Sequence, residues 1–272
     1  MTVRIWQRYV AIGDSFTEGM CDPEPEPPDG YAGWADRLAG HLSAVAAEAE
    51  QPFDYANLAV RGRKLADVVG PQLDSALTMS PDLVSIVGGG NDILRPQVDI
   101  DGIGEQLEAA VVRLREAGAD VLLVTPTDTA KAGLFKAIRP RHAIHTANIH
   151  AMAARHGCFV VSLWGMRSLQ DWRMWAADRI HLTSEGHRRV ALAAADALGF
   201  ETDRADWTTP LPAAEALGRR EAFAGHAAWG KEHFGPWVNR HLHGRSSGDA
   251  LTAKRPAPAP IPPARLTAEP AR

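Results

Sequence analysis

The sequence has little of what would place it among stapled, membrane-spanning or nucleic-acid-binding proteins. Only two of its 272 residues are cysteine, Cys21 and Cys158. Two cannot build a disulfide framework, and both read as reduced thiols. No run of about 18 apolar residues is available to cross a bilayer. The segment Met1–Arg8 lacks the apolar stretch of a secretory signal, so the expectation is a soluble, cytoplasmic protein. A formal net charge of −4 gives no electrostatic case for nucleic acid or an anionic membrane as partner. No Gly-Lys-Ser/Thr follows Gly88-Gly89-Gly90, which excludes a phosphate loop there. His142, His145, His150 and His156 share one expected helix, but no carboxylate or cysteine is arranged with them; surface or cleft histidines are expected, not a metal site.

What is present is a globular composition, 45% hydrophobic and 23% charged, enough for one sizeable core with appendages. Short apolar runs rich in β-formers alternate with segments of helical period. Tyr9–Ile12, Phe53–Ala59, Asp82–Val87, Val121–Val124 and Cys158–Leu163 read as five strands. Helices are expected over 31–49, over 64–77 with a break near Gly70-Pro71, from an N-cap at Asp101 to Gly118, over 140–156, and over 184–198. This alternation predicts a three-layer α/β/α domain over residues 1–200, with a five-stranded parallel sheet in flavodoxin-like order. Residues 201–244 keep Trp207, Phe223, Trp229, Phe234 and Trp237 and read as a helical appendage. Residues 245–272 are rich in proline, alanine and arginine and are expected to be disordered or polyproline-like. The proline-rich loop from Cys21 to Gly30 should hold no regular element.

Chemistry concentrates where the strands end. The first strand runs into Gly13-Asp14-Ser15-Phe16-Thr17-Glu18-Gly19 and delivers a serine hydroxyl to the carboxyl edge of the sheet, where open α/β folds place ligands. A serine needs a base, and the base needs an orienting group. Asp178 and His181, three apart before the last helix, have the spacing for a carboxylate to hold one imidazole nitrogen while the other faces the serine. Gly62 offers a backbone N–H that a ligand can approach closely. Asn91, after the third strand, offers an amide N–H or serves as a turn residue; with the N–H of Ser15 these would form an oxyanion hole. His187 is a rival base, but its helical position would point it away from the strand edge. Asp14 reads as a brace of the serine turn. Trp164, Trp172 and Trp175 wall a pocket or fill core.

These blocks, Gly-Asp-Ser at 13–15, a glycine at 62, Gly-Gly-Asn-Asp at 89–92 and Asp-x-x-His at 178–181, resemble those of the SGNH, or GDSL, hydrolases over residues 8–199. The resemblance implies a serine hydrolase acting on small-molecule carboxylic esters (acyl or acetyl) through an acyl-enzyme. Its catalytic residues would be Ser15, His181 and Asp178, with Ser15, Gly62 and Asn91 around the oxyanion and no metal or organic cofactor. Acyl transfer or thioester cleavage on the same machinery is the alternative within enzymes. A non-catalytic flavodoxin-like binding module is the alternative outside them.

Overall fold

Successive residues of the first strand enter opposite cores. In the computed structural model, which describes residues 4–24, 30–213, 229, 232, 248 and 250–266, the strand Arg8–Ile12 (β1) sends Tyr9 and Ala11 into one hydrophobic cluster and Val10 and Ile12 into the other. That is the consequence of a side-chain period of two in a strand covered on both faces. Four parallel partners follow: Asp54–Asn57 (β2), Leu83–Ile86 (β3), Asp120–Val124 (β4) and Phe159–Val161 (β5). Their spatial order is β2-β1-β3-β4-β5, all parallel. The expected flavodoxin-like arrangement is therefore present.

The helices in chain order are Ser15–Glu18 (α1), Gly33–Glu48 (α2), Leu65–Asp67 (α3), Leu73–Thr78 (α4), Gly90–Ile93 (α5), Ile100–Glu116 (α6), Arg139–His156 (α7) and Ser184–Ala197 (α8). Trp34, Leu38 and Leu42 of α2 meet Val190 and Ala191 of α8 in the first cluster. Leu65, Leu73, Ile103, Leu107, Val111, Ile149 and Met152, from α3, α4, α6 and α7, form the second. Each fully buried side chain of this size contributes about 1.5–3 kcal/mol. The N-cap of α6 is Asp99, whose carboxylate accepts from Asp101 N–H at 3.1 Å, and not Asp101 as expected. The expected break at Gly70-Pro71 is a π-helical turn, Val68–Gln72, between α3 and α4. Proline lacks the N–H that a regular ladder needs there.

Two further expectations are corrected. The sheet has six strands, not five, because Arg255–Pro260 (β6) pairs antiparallel with β2. The segment expected to lack regular structure or to be polyproline-like thus closes an open edge. Its prolines stand at 256, 258 and 260, every second residue, so their missing N–H groups fall on one side and an edge strand tolerates them. Lys254 anchors the entry to β6: its ammonium donates to Glu18 O and Tyr31 O, each at 2.6 Å, and pairs with Asp36 at 2.6 Å. Further on, Ala264 N–H donates to Gly40 O at 2.9 Å and Ser43 Oγ to Ile261 O at 2.8 Å. The second correction concerns the proline-rich loop, which is not wholly irregular, since Pro23–Glu24 and Gly30–Tyr31 form a two-residue antiparallel ladder. Of the expected appendage, Arg204–Thr208 forms a short helix; Phe223, Phe234 and Trp237 lie outside the described residues. Among the described residues no helix is long and apolar enough to cross a membrane.

Candidate active site

The order β2-β1-β3 makes the carboxyl ends of β1 and β3 the switch point of the sheet, where chains leaving neighbouring strands diverge and open a crevice. Ser15 follows β1 and Asn91 follows β3. Ser15 is the first residue of α1, which Asp14 caps by accepting Phe16 N–H on Oδ1 at 3.1 Å. Behind it Gln72, on the π-helical turn, holds Gly13 twice: Gly13 N–H donates to Oε1 at 2.8 Å and Nε2 donates to Gly13 O at 2.9 Å. The exit from α1 is as closely determined. Gly19 and Gly33 have φ of 90° and 68°, and a Cβ on either would stand 2.5–2.6 Å from the other's Cα. No other residue type permits that approach.

The His181 loop is built around one carboxylate. Asp178 Oδ1 accepts the N–H groups of Ile180 and His181, both at 3.0 Å, while Oδ2 accepts from His181 Nδ1 at 2.6 Å. Placing the proton on Nδ1 leaves Nε2 as the acceptor. Burial alone would favour neutral forms of both groups, but their mutual attraction prevails. His181 is raised to about 9 by Asp178 and by the Cys21 thiol against it. Asp178 is lowered to about 2 by His181 and the two amides. Burial raises Asp14 to about 6, opposed by the Phe16 N–H and the His181 charge and assisted by Asp92 and Glu18.

A cleft of about 230 Å³ lies over this edge. Ser15, Asn91, Arg179 and Ile180 line it, so the serine turn and the histidine loop share one cavity. Its remaining walls are largely apolar, with Phe16, Val124, Leu163, Leu169, Trp172 and Trp175. Of the three tryptophans considered from sequence, Trp172 and Trp175 are wall residues, whereas Trp164 carries the Arg139 guanidinium over its ring. His142 also lines the cleft, with burial holding it near pKa 4. His145 is buried against Gly88 O at 3.1 Å, and His156 pairs with Glu108.

The other expected residues are placed less simply. Asn91 Nδ2 donates to Arg63 O at 2.9 Å and to Asp14 Oδ2 at 3.2 Å, so both its amide hydrogens are engaged. Gly62, at φ 73°, sits in an exposed turn and is not among the residues lining the cleft. That turn is tied to the serine helix through Glu18, whose carboxylate accepts Arg61 N–H at 2.7 Å and pairs with the Arg61 guanidinium. The arginine at 61 is thus a clamp between two loops. His187 is buried in the core: Nδ1 accepts Trp34 N–H and Nε2 donates to Met20 O, both at 3.3 Å, and burial lowers it to about 4.

Two contacts had no signal in the sequence. Cys21 Sγ stands 4.0 Å from Asp178 Oδ2, and the Trp229 indole donates to Asp178 O at 2.9 Å. Arg179 lies over the rings of Trp172 and Trp229, at 5.3 and 5.0 Å.

The fold is shared with several solved structures. Axe2, an acetylxylan esterase from Geobacillus stearothermophilus, is 21% identical with a TM-score of 0.60, the match covering 74% of this chain and 98% of that one. TesA is 22% identical with a TM-score of 0.56, covering 71% and 98%. LAE5, an α/β hydrolase enzyme from the metagenome of Lake Arreo, Spain, is 26% identical with a TM-score of 0.60, covering 71% and 95%. No curated protein sequence matches the chain. Residues 11–189, more than half of the chain, match the model of the GDSL-like lipase/acylhydrolase family, and the protein belongs to that family as an SGNH-type carboxylic ester hydrolase.

Proposed function

We propose that the protein hydrolyses carboxylic esters through an acyl-enzyme formed on Ser15. Ser15 Oγ attacks the ester carbonyl as His181 Nε2 takes its proton. Asp178 keeps the ring in the tautomer that can accept and stabilises the imidazolium that results. The oxyanion is met by the N–H of Ser15 and by the Asn91 amide, which line the cleft, whereas Gly62 stands outside it. Asn91 exchanges its longer bond, to Asp14, for the developing charge. Each such donor is worth about 2.7–4 kcal/mol in the transition state. His181 then protonates the leaving alkoxide, and water releases the acyl group by the same steps in reverse.

The observation that carries this reading is the Asp178–His181 pair held on a loop whose Arg179 and Ile180 wall the cleft that Ser15 lines. Catalytic mutants of the structural neighbour Axe2 replace a serine or a histidine, in keeping with the same division of labour. The apolar walls favour an ester with a hydrocarbon group over a bare polar one. A serine-directed fluorophosphonate decides the matter: it should label the wild type and leave Ser15→Ala unlabelled. A folded wild type that takes no label would leave a binding module on this fold.

A further inference from the structure

Cys21 reads in the sequence as a reduced thiol. In the structure it occupies the left-handed region at φ 70°, a conformation rare for a residue with a Cβ. Its sulfur lies 4.0 Å from Asp178 Oδ2. One donor atom from each of Cys21, Asp178 and His181 lies within 4.8 Å of the other two. These donors come from two separate loops, each fixed by its own bonds. Asp22, next to Cys21, is buried and bound by the Arg37 guanidinium at 2.9–3.0 Å and by Gly33 N–H at 3.1 Å. Asp178 is fixed by the two amides of its own loop.

We propose that Cys21, Asp178 and His181 form an inhibitory site for a thiophilic divalent cation of the Zn²⁺ type. A sulfur, an imidazole nitrogen and a carboxylate oxygen, with water in a fourth position, make a donor set that Zn²⁺ accepts. Metal–donor lengths of about 2.0–2.3 Å require these atoms to close by on the order of 1 Å. Mg²⁺ and Ca²⁺ ask instead for six or more oxygens. Binding displaces the thiol proton and one proton of the His181 imidazolium to solvent and transfers no electrons. The consequence rests on the proposed function. Coordination through Nδ1 breaks the bond that aims the ring, and coordination through Nε2 uses the lone pair that takes the serine proton. Either way the base is lost while the fold is kept.

Co²⁺ added to the full-length protein reports the site independently of turnover. The wild type and Cys158→Ala should develop a thiolate-to-cobalt charge-transfer band that Zn²⁺ removes by competition. Cys21→Ala should lack it, as should Cys21→Gly, which accepts the left-handed backbone without strain. In the ester assay, Zn²⁺ should inhibit the wild type reversibly to EDTA, and Cys21→Gly should need at least about 10-fold more, each variant scaled to its own metal-free rate. No band in the wild type at saturating Co²⁺, an equal band in both Cys21 variants, or unchanged Zn²⁺ sensitivity would overturn the proposal. Because fluorophosphonate labelling of metal-free protein tests Ser15 separately, failure of the metal site and failure of the hydrolase reading give different results.

Discussion

Asp178 Oδ2 and His181 Nδ1 stand 2.6 Å apart, and the amides of Ile180 and His181 occupy the other carboxylate oxygen. Three bonds from its own loop therefore hold the carboxylate, and the ring can rotate only by breaking a bond between charged partners. That rigidity is what a general base needs if its second nitrogen is to stay aimed.

On the proposed mechanism the pair sets the pH profile. Asp178 and the Cys21 thiol face His181 directly, and Asp14 senses its charge. With His181 raised to about 9, the free enzyme holds an imidazolium at neutral pH that cannot accept a proton. We expect kcat/KM to rise with pH and level above about 9. Asp178→Asn should bring the limb toward the ordinary histidine value of about 6.5 and lower the plateau by about 10⁴. A pH–rate profile of both proteins checks this; an unmoved limb in the variant would refute the coupling.

The same shifts carry stability, with opposite signs. Asp178 is lowered to about 2, so its contribution is present above its unfolded value, about 3.9, and is lost as pH falls toward 2. His181 is raised, so its contribution is complete below about 6.5 and disappears as pH rises through about 9. The Tm difference between wild type and His181→Ala should shrink between pH 6.5 and 10.

Ser15 and His181 should act as one unit. Each single alanine variant should lose turnover by on the order of 10⁶, and the double variant should be no slower than the worse single. Additive losses in single-turnover assays would show that they serve separate steps.

Asn91→Ala should lower kcat by about 10²–10³ with KM little changed, since its amide is asked to act on the transition state. A change confined to KM would make Asn91 a substrate contact.

The C-terminal strand should be structural. Lys254→Ala removes an ammonium bonded to Glu18 O, Tyr31 O and Asp36, and hydrogen bonds of this charged kind are worth about 1.5–3 kcal/mol each. We expect Tm to fall by several degrees, and deletion of 254–272 to expose the β2 edge and promote association. Thermal melts and light scattering measure both. An unchanged melt after deletion would show that β6 contributes nothing to stability.

Local pattern alone marked the five parallel strands, because each is a short apolar run whose alternate residues are buried on opposite faces, and it marked Ser15, Asn91 and His181 as residues beyond strand ends. Asp178 could be paired with His181 because only two residues separate them, so the contact is nearly local. What pattern could not show depends on residues far apart in sequence. Arg255–Pro260 looks unstructured by composition and becomes a strand only because β2 offers it an unpaired edge. Gln72 gains meaning from Gly13, 59 residues away, and Cys21 from Asp178, 157 residues away. The engagement of both Asn91 hydrogens by Asp14 and Arg63 likewise follows from three loops meeting. Backbone preference and hydrophobic period are written residue by residue, whereas the partner of a polar side chain is chosen only when packing brings distant segments together.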